Sequence, residues 1–154
     1  MFRPHTILCP IDFSPNSGQA FTLACALAQD YAARLVAVHV APPPVRGKAL
    51  AELQRYESAW EAFCQAHAPA PAVRVERCYK PGDPATRILG HAQDIAADLI
   101  VMGAHGRSGR GRDPLGSVAT QVSRQARCPV LTVQGPESGA TANPESRLEE
   151  SLSP

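Results

Sequence analysis

Four short apolar runs constrain the fold of this chain more than any other feature. They occupy residues 6–11, 35–40, 98–102 and 128–133, and few polar residues interrupt them. Strands that are covered by helices on both faces show this continuous pattern, which is typical of parallel sheets. Residues 73–79 instead alternate apolar and polar side chains, so this additional strand is expected at an edge of the sheet.

Helical patterns separate these strands. Ser14 followed by Pro15 predicts a capped helix start, and Asp83 predicts a second cap. The second helix is expected to run to about residue 68, and a fourth over residues 117–126. The expected inward faces of the first three helices comprise Ala20, Phe21, Ala24, Leu27, Ala28 and Tyr31, then Leu50, Leu53, Tyr56, Trp60, Phe63 and Cys64, then Ile88, Leu89, Ala92, Ile95 and Ala96.

Strands that alternate with helices predict one α/β domain, built on a doubly wound, five-stranded parallel sheet of Rossmann-like type. Right-handed crossovers place helices on both faces of such a sheet. The domain is expected to occupy residues 1–134. Residues 135–154 combine Pro, Gly, Ser and Glu with few apolar side chains, a composition that predicts a disordered tail.

Composition narrows the class of protein. The chain is 44% hydrophobic and 19% charged with a formal net charge of +1, so the charge balance favours neither a nucleic-acid nor a membrane partner. Its five cysteines are dispersed without a C-x-x-C pair, which predicts buried free thiols rather than a disulfide framework or a zinc site. Free thiols and the lack of a signal-peptide pattern at the start predict a cytoplasmic protein.

Ligands of doubly wound sheets bind at the carboxyl ends of strands where the strand order reverses. That rule directs attention to Asp12, after the strand over residues 6–11, and to Gly103, after the strand over residues 98–102. Gly103 and Gly106 are followed, nine residues later, by Gly116 and Ser117 at a helix start. Glycines permit positive φ and close approach of a ligand, and a helix N-terminus favours phosphate oxygens.

A plain capped helix, with Ser117 as its N-cap, is the alternative for this glycine segment. The position at the expected switch point favours phosphate binding. Neither G-x-x-x-x-G-K-[ST] nor G-x-G-x-x-G occurs, which argues against a P-loop hydrolase and a dinucleotide oxidoreductase.

Several motifs resemble the universal stress protein family over roughly residues 6–133. They are Pro10-Ile-Asp12-Phe-Ser14, His39-Val40, Gly82-x-Pro84, the run over 98–109, Gly116-Ser117-Val118-Ala119 and the run over 128–131. ATP-binding members of that family share G-x2-G-x9-G-[ST], and Gly103, Gly106, Gly116 and Ser117 have this spacing. The resemblance implies the adenine nucleotide alpha hydrolase-like form of the fold.

The resemblance also implies a nucleotide site. Asp12 would face the ribose or a phosphate-bound metal, the backbone of Val40 would read the adenine edge, and Gly106 would hold phosphate. The residues so implied are Pro10, Ile11, Asp12, Val40, Met102, Gly103, Gly106, Gly116, Ser117 and Val118.

Three further residues have alternative roles. His105 would contact phosphate or face solvent. Arg107, within an arginine-rich stretch that departs from the family pattern, would clamp the γ-phosphate or be solvated. His39 is interpreted as a packed core histidine rather than a ligand.

The implied function is a cytoplasmic ATP-binding regulatory module of the stress response, with or without Mg²⁺. It would form a homodimer through strand 5, which spans residues 128–133 and begins at Cys128. Two alternatives stay open, a slow metal-dependent ATPase and a dimeric interaction protein that needs no nucleotide. No Ser-His-Asp or Cys-His grouping can be placed, so no catalytic residue is predicted.

Overall fold

The computed structural model describes residues 1–106 and 114–135, in which five strands and four helices alternate. In chain order they are β1 (Thr6–Pro10), α1 (Pro15–Tyr31), β2 (Arg34–Ala41), α2 (Ala49–Ala66), β3 (Val75–Pro81), α3 (Pro84–Asp94), β4 (Leu99–Gly103), α4 (Ser117–Gln125) and β5 (Val130–Val133). The predicted contact of Arg107 and nearly all of the predicted tail lie outside the described residues.

All strand pairs are parallel, and the strand order is β3-β2-β1-β4-β5. The predicted doubly wound fold is therefore confirmed, as is the edge position of the alternating strand β3. The order reverses between β1 and β4, so the carboxyl ends of these two strands form the switch point where a ligand is expected.

Helices cover both faces of the sheet. On one face Phe21 of α1 packs edge-on against Trp60 and at a tilt against Phe63, both of α2. On the other face Ile88 of α3 and Val122 of α4 pack against the opposite side chains of the central strands. The central strands thus bury both of their faces, which explains their continuous apolar sequences.

Two predicted helix starts are confirmed by their caps. Ser14 Oγ accepts a hydrogen bond from Ser17 N at 3.2 Å, and Pro15 occupies the first turn of α1. Asp83 Oδ2 accepts from Thr86 N at 3.0 Å at the start of α3. The Thr86 hydroxyl and amide both donate to this carboxylate and hold the pKa of Asp83 below its ordinary value.

Several predicted inward positions are wrong. Leu50 is 69% exposed and Leu53 is 44% exposed, because the residues that α2 buries begin only at Tyr56. Tyr31 ends α1 and is exposed. Ala96 follows the end of α3 with a φ of 50° and is exposed, because this left-handed turn brings Ala97 to the core in its place.

Strand boundaries also differ from the prediction. β3 begins at Val75 because Val73 N donates to Ala70 O in a turn. β5 begins at Val130, after Pro129, rather than at Cys128. Pro129 has no backbone N–H, so it cannot donate within the ladder as a regular strand residue would.

All five cysteines are free thiols, as predicted, but they are not all buried. Cys9 and Cys25 are buried, whereas Cys64, Cys78 and Cys128 are half-buried. Burial raises the pKa of Cys25 to about 11 and raises that of Cys9 as well. These two thiols are therefore protonated and unreactive at neutral pH.

His91 of α3 makes the stability of the fold depend on pH. Its two ring nitrogens are buried without a hydrogen-bond partner among the described residues. Burial, followed by the positive charge of Lys80, lowers its pKa; Asp94 opposes the shift and Arg34 adds to it. The fold therefore binds a proton here less readily than the unfolded chain does, and stability declines as pH falls through about 6.5, the ordinary histidine value.

We expect His91→Leu to raise stability by about 1 kcal/mol and to flatten this decline, since the variant removes an unsatisfied buried group. Urea unfolding at pH 7.5 and pH 5.0 measures both effects. His5→Gln is the control, because His5 is exposed. An equal acid-induced loss of stability in wild type and His91→Leu would contradict this role.

Candidate functional site

A cleft of about 350 Å³ opens at the carboxyl ends of β1, β2 and β4, between the start of α1 and the start of α4. Small-molecule and cofactor sites usually have volumes of about 300–1,000 Å³. The cleft therefore lies at the predicted switch point and has the size of a small-ligand site.

The turn between β1 and α1 presents a carboxylate to this cleft. Asp12 Oδ1 accepts from Ser14 N at 2.9 Å, which fixes the side chain beside the helix start. Phe13 has a φ of 63°, a left-handed conformation that is uncommon for an aromatic residue. Such strained residues persist only where the surrounding packing determines them.

His39 supplies part of that packing. Its Nδ1 lies 2.7 Å from the carbonyl oxygen of Ile11, and because a carbonyl only accepts, Nδ1 carries the hydrogen. The ring packs against Phe13 at 4.7 Å between centroids and stacks on Tyr56 at 5.6 Å. His39 is thus packed against its neighbours as expected, although it is half-buried rather than in the core, and it stabilises the turn that carries Asp12.

The backbone of Val40 lies at the cleft, beyond the end of β1. Ile11 N donates to Val38 O at 2.8 Å, while Gly82 N donates to Ala41 O at 2.9 Å on the opposite side of β2. Peptide groups of successive strand residues point to opposite sides, so those of Val40 point the same way as the Val38 carbonyl. β1 has already ended at Pro10 there, which leaves the Val40 N–H and C=O facing the cleft.

The glycines after β4 and before α4 permit close approach rather than positive φ. A Cβ on Gly103 would lie 3.0 Å from the backbone carbon of Asn16, and one on Gly106 would lie 2.8 Å from Asp12 Oδ2. A Cβ on Gly116 would lie 3.4 Å from the Ala104 carbonyl oxygen. None of these three glycines has a positive φ, so that part of the expectation was wrong.

Helix α4 begins at the cleft without a side-chain cap. Its N-cap residue, Gly116, has no side chain to cap the first amides; α2 also lacks a side-chain cap bond, whereas α1 and α3 are capped by Ser14 and Asp83. The alternative in which Ser117 caps the helix is therefore wrong, because Ser117 is already the first helical residue. The first N–H groups of a helix and the positive end of its dipole together form an anion-binding position.

Comparisons with known proteins agree with this geometry. A model described as the universal stress protein family matches residues 4–134. The chain belongs to the universal stress protein family. A universal stress protein of Thermus aquaticus is 37% identical over 141 residues, which cover 87% of this chain and 100% of that protein.

Solved universal stress proteins share the fold. Universal stress protein UspA from Lactobacillus plantarum superposes with a TM-score of 0.72 at 28% identity, over 86% of this chain and 99% of the other. A universal stress protein solved in complex with cAMP superposes with a TM-score of 0.64 at 27% identity, over 86% of this chain and 98% of the other. The predicted membership and fold are thus both confirmed.

The cleft of this universal stress protein brings together every predicted contact residue that the structure describes. Arg107 lies outside the described residues. The predicted residues that line the cleft are Pro10, Ile11, Asp12, Val40, Met102, Gly103, His105, Gly106, Gly116, Ser117 and Val118. These residues therefore lie together in one cleft.

Sequence reasoning missed several lining residues, namely Ser17, Val38, Ile88, Ala104, Leu115 and Ala119. Most are small or apolar, and they form the walls between the polar positions. Ile88 carried a usable signal, since helical spacing already placed it on the inward face of α3. The others are not distinguished by spacing or residue type from ordinary core positions.

Within residues 1–106 and 114–135, no group of three or more His, Cys, Asp or Glu side chains is arranged to hold a metal ion. No helix in this part of the chain combines the length and the apolar character needed to cross a bilayer. Among the described residues that line the cleft, Asp12 is the one that carries a carboxylate.

Proposed function

We propose that this universal stress protein binds ATP in the cleft and serves as a nucleotide-dependent regulatory module in the cytoplasm. The observation that carries the proposal is the start of α4, which has no side-chain cap and lies at the cleft against the 104–105 segment, where Gly116 N donates to the Ala104 carbonyl oxygen at 2.7 Å. A related universal stress protein solved in complex with cAMP supports an adenine nucleotide as the ligand class.

The base end of the nucleotide fits the apolar side of the cleft. Val38, Ile88 and Met102 supply apolar walls, and the N–H and C=O of Val40, which lie beyond the end of β1, match the donor and acceptor of an adenine edge. Guanine presents the reversed donor and acceptor pattern on its Watson–Crick edge. The proposed site therefore selects adenine over guanine.

The phosphates fit the opposite end. The amides of Ser117 and Val118 lie at the positive end of the α4 dipole, and the neighbouring glycines leave room for oxygens to approach the backbone. Asp12 would accept from ribose hydroxyls or hold Mg²⁺ jointly with phosphate oxygens, which is the usual way that proteins hold this ion. When bound, Mg²⁺ would neutralise phosphate charge beside the Asp12 carboxylate.

Regulation follows if the empty and occupied states present different surfaces to a partner. A ligand shifts such an equilibrium only by its differential affinity for the two states. Five free cysteines without a disulfide support a reducing compartment for this activity.

A second copy of the chain is proposed to pair along β5, which lies at the edge of the sheet and exposes Leu131. Unpaired edge strands are templates for pairing with another chain. Light scattering decides this point, and a clean monomer would contradict it.

Isothermal titration calorimetry on protein stripped of nucleotide tests the proposed binding. We expect MgATP to bind at least about tenfold more tightly than MgGTP, since a wrong edge leaves buried polar groups unpaired. cAMP should bind more weakly than ATP, because it lacks the β- and γ-phosphates. Absence of binding by every adenine nucleotide, together with no nucleotide in mass spectra of gently purified protein, would overturn the proposal.

A further inference from the structure

Asn16, the second residue of α1, joins two chain segments that are far apart in sequence. Its Nδ2 donates to the carbonyl oxygen of His105 at 3.2 Å, and its Oδ1 accepts from the amide of Gly135 at 2.9 Å. His105 lines the cleft, whereas Gly135 follows the end of β5. One amide side chain thus spans from the cleft to the point where the chain leaves the sheet.

The surrounding contacts make this link tight. A Cβ on Gly103 would lie 3.0 Å from both the backbone carbon and the Cβ of Asn16, so β4 and α1 touch at this position. Ala104 N donates to Val133 O at 2.8 Å and extends the pairing of β4 with β5.

The residues after β5 also contact the far end of the glycine segment. Gln134 Nε2 donates to the carbonyl oxygen of Pro114 at 3.2 Å. Pro114 lies two residues before Gly116, the N-cap of α4. Gln134 and Gly135 are therefore connected to both sides of the proposed phosphate site, directly through Pro114 and indirectly through Asn16.

Asn16 has no other evident task. Ser14 already caps α1, so the helix start does not need the Asn16 amide. The side chain is absent from the lining of the cleft, so it does not contact a nucleotide there. Both hydrogen-bonding atoms of the amide are instead used between segments, and both bonds are partly buried.

We propose that Asn16 is a positioning residue that holds the His105 carbonyl for nucleotide binding and couples occupancy of the cleft to Gly135. The inference rests on the proposed function. Coupling between two sites is reciprocal, so a nucleotide that orders the His105 segment must also strengthen the bond from Gly135 to Asn16. Nucleotide binding then stabilises the hydrogen bond of the Gly135 amide, at the point where the chain leaves β5.

Amide exchange of Gly135, followed by NMR on the full-length ¹⁵N-labelled protein, tests the coupling. In wild type we expect saturating MgATP to slow this exchange by about tenfold, a typical size for coupled sites. Asn16→Asp keeps an acceptor for Gly135 but turns a carboxylate oxygen towards the His105 carbonyl. Without ATP, the Gly135 amide of this variant should exchange as slowly as in wild type. Addition of ATP should no longer slow the exchange, and ATP should bind about tenfold more weakly.

Asn16→Ala removes both bonds without adding charge. Gly135 should then exchange rapidly with or without ATP, while ATP affinity falls by a similar factor. Gln19→Ala is the matched control, because Gln19 is exposed on the same helix and should behave as wild type. Thermal unfolding of each variant separates these effects from a general loss of stability.

The outcomes distinguish the coupling from the proposed function. ATP binding by wild type without a change at Gly135, or ATP-dependent slowing that persists in both Asn16 variants, would overturn the coupling alone. Failure of wild type to bind ATP would overturn the proposed function and the coupling together.

Discussion

Gly116→Val is expected to weaken ATP binding by about 100-fold or more, equivalent to about 2.7 kcal/mol, while the chain still folds. The backbone tolerates valine, since Gly116 has φ −69° and ψ 170°, a region open to every residue. The cleft does not tolerate it. A Cβ would already lie 3.4 Å from the Ala104 carbonyl oxygen and 3.5 Å from His105 Cα, so the valine methyls fill the space between α4 and the His105 segment.

Calorimetric titration with MgATP measures the loss of affinity, and thermal unfolding measures the fold. Valine is a poor N-cap residue, so a stability loss of about 1 kcal/mol is expected in addition. Gly90→Val is the control, because a Cβ on Gly90 meets no atom within 4 Å and Gly90 does not line the cleft. ATP affinity in Gly116→Val within threefold of wild type would exclude this cleft as the phosphate site.

Two smaller substitutions at Gly116 separate shape from hydrogen bonding. Gly116→Ala adds a methyl group in ordinary contact, whereas Gly116→Ser adds a similar volume together with an N-cap hydroxyl. That hydroxyl would accept from the first amides of α4 and so compete with phosphate for them. Serine should therefore weaken ATP binding more than alanine does, although it caps the helix better.

The doubly wound sheet, the edge position of β3 and the position of the cleft were predictable from sequence, because burial of a strand on both faces has a direct signature. A run such as residues 35–40 has few polar positions only because helices cover both of its sides. When strands and helices alternate, right-handed crossovers place helices on both faces of the sheet. Ligands then bind at the carboxyl ends of the strands where the strand order reverses, so few positions for a ligand remain. Asp12 and Gly103 follow from those rules before any motif is considered.

The open edge of Val40 was implied only by the family resemblance, because it depends on where a neighbouring strand stops. β1 ends at Pro10 while β2 continues to Ala41, and this difference in length places the Val40 peptide groups at the cleft, beyond the end of β1. Local sequence carries no signal for such a difference. The same holds for Leu50 and Leu53, whose spacing is helical although the residues that α2 buries begin only at Tyr56.

Asn16 shows a second limit of sequence reasoning. An asparagine in the first turn of a helix is unremarkable by propensity, and its partners lie 89 and 119 residues away. Its role becomes visible only when β4 and β5 pair and bring His105 and Gly135 to the start of α1. Polar contacts of this range depend on the assembled sheet, whereas caps such as Ser14 act within three residues and are predictable.

Gly103→Ala is expected to destabilise the fold by about 2 kcal/mol, because a methyl group there overpacks rigid backbone. Its Cβ would lie 3.0 Å from the Asn16 backbone carbon and 3.1 Å from Ser17 N, atoms that belong to the first turn of α1. A flexible side chain would move aside, but a helix start can relieve the contact only by shifting as a unit. The melting temperature should fall by roughly 6–10 °C in thermal unfolding.

Gly116→Ala is the control for an added methyl group, since its Cβ would meet the nearest atom at 3.4 Å, within ordinary contact, and its poorer N-cap should cost only about 1 kcal/mol or less. A melting temperature for Gly103→Ala equal to that of Gly116→Ala would show that α1 and β4 do not meet as closely as described. The destabilised variant should also bind ATP weakly even well below its melting temperature. The shift of α1 moves Asn16 away from the His105 carbonyl, so a packing defect at the end of β4 becomes a defect in the nucleotide site.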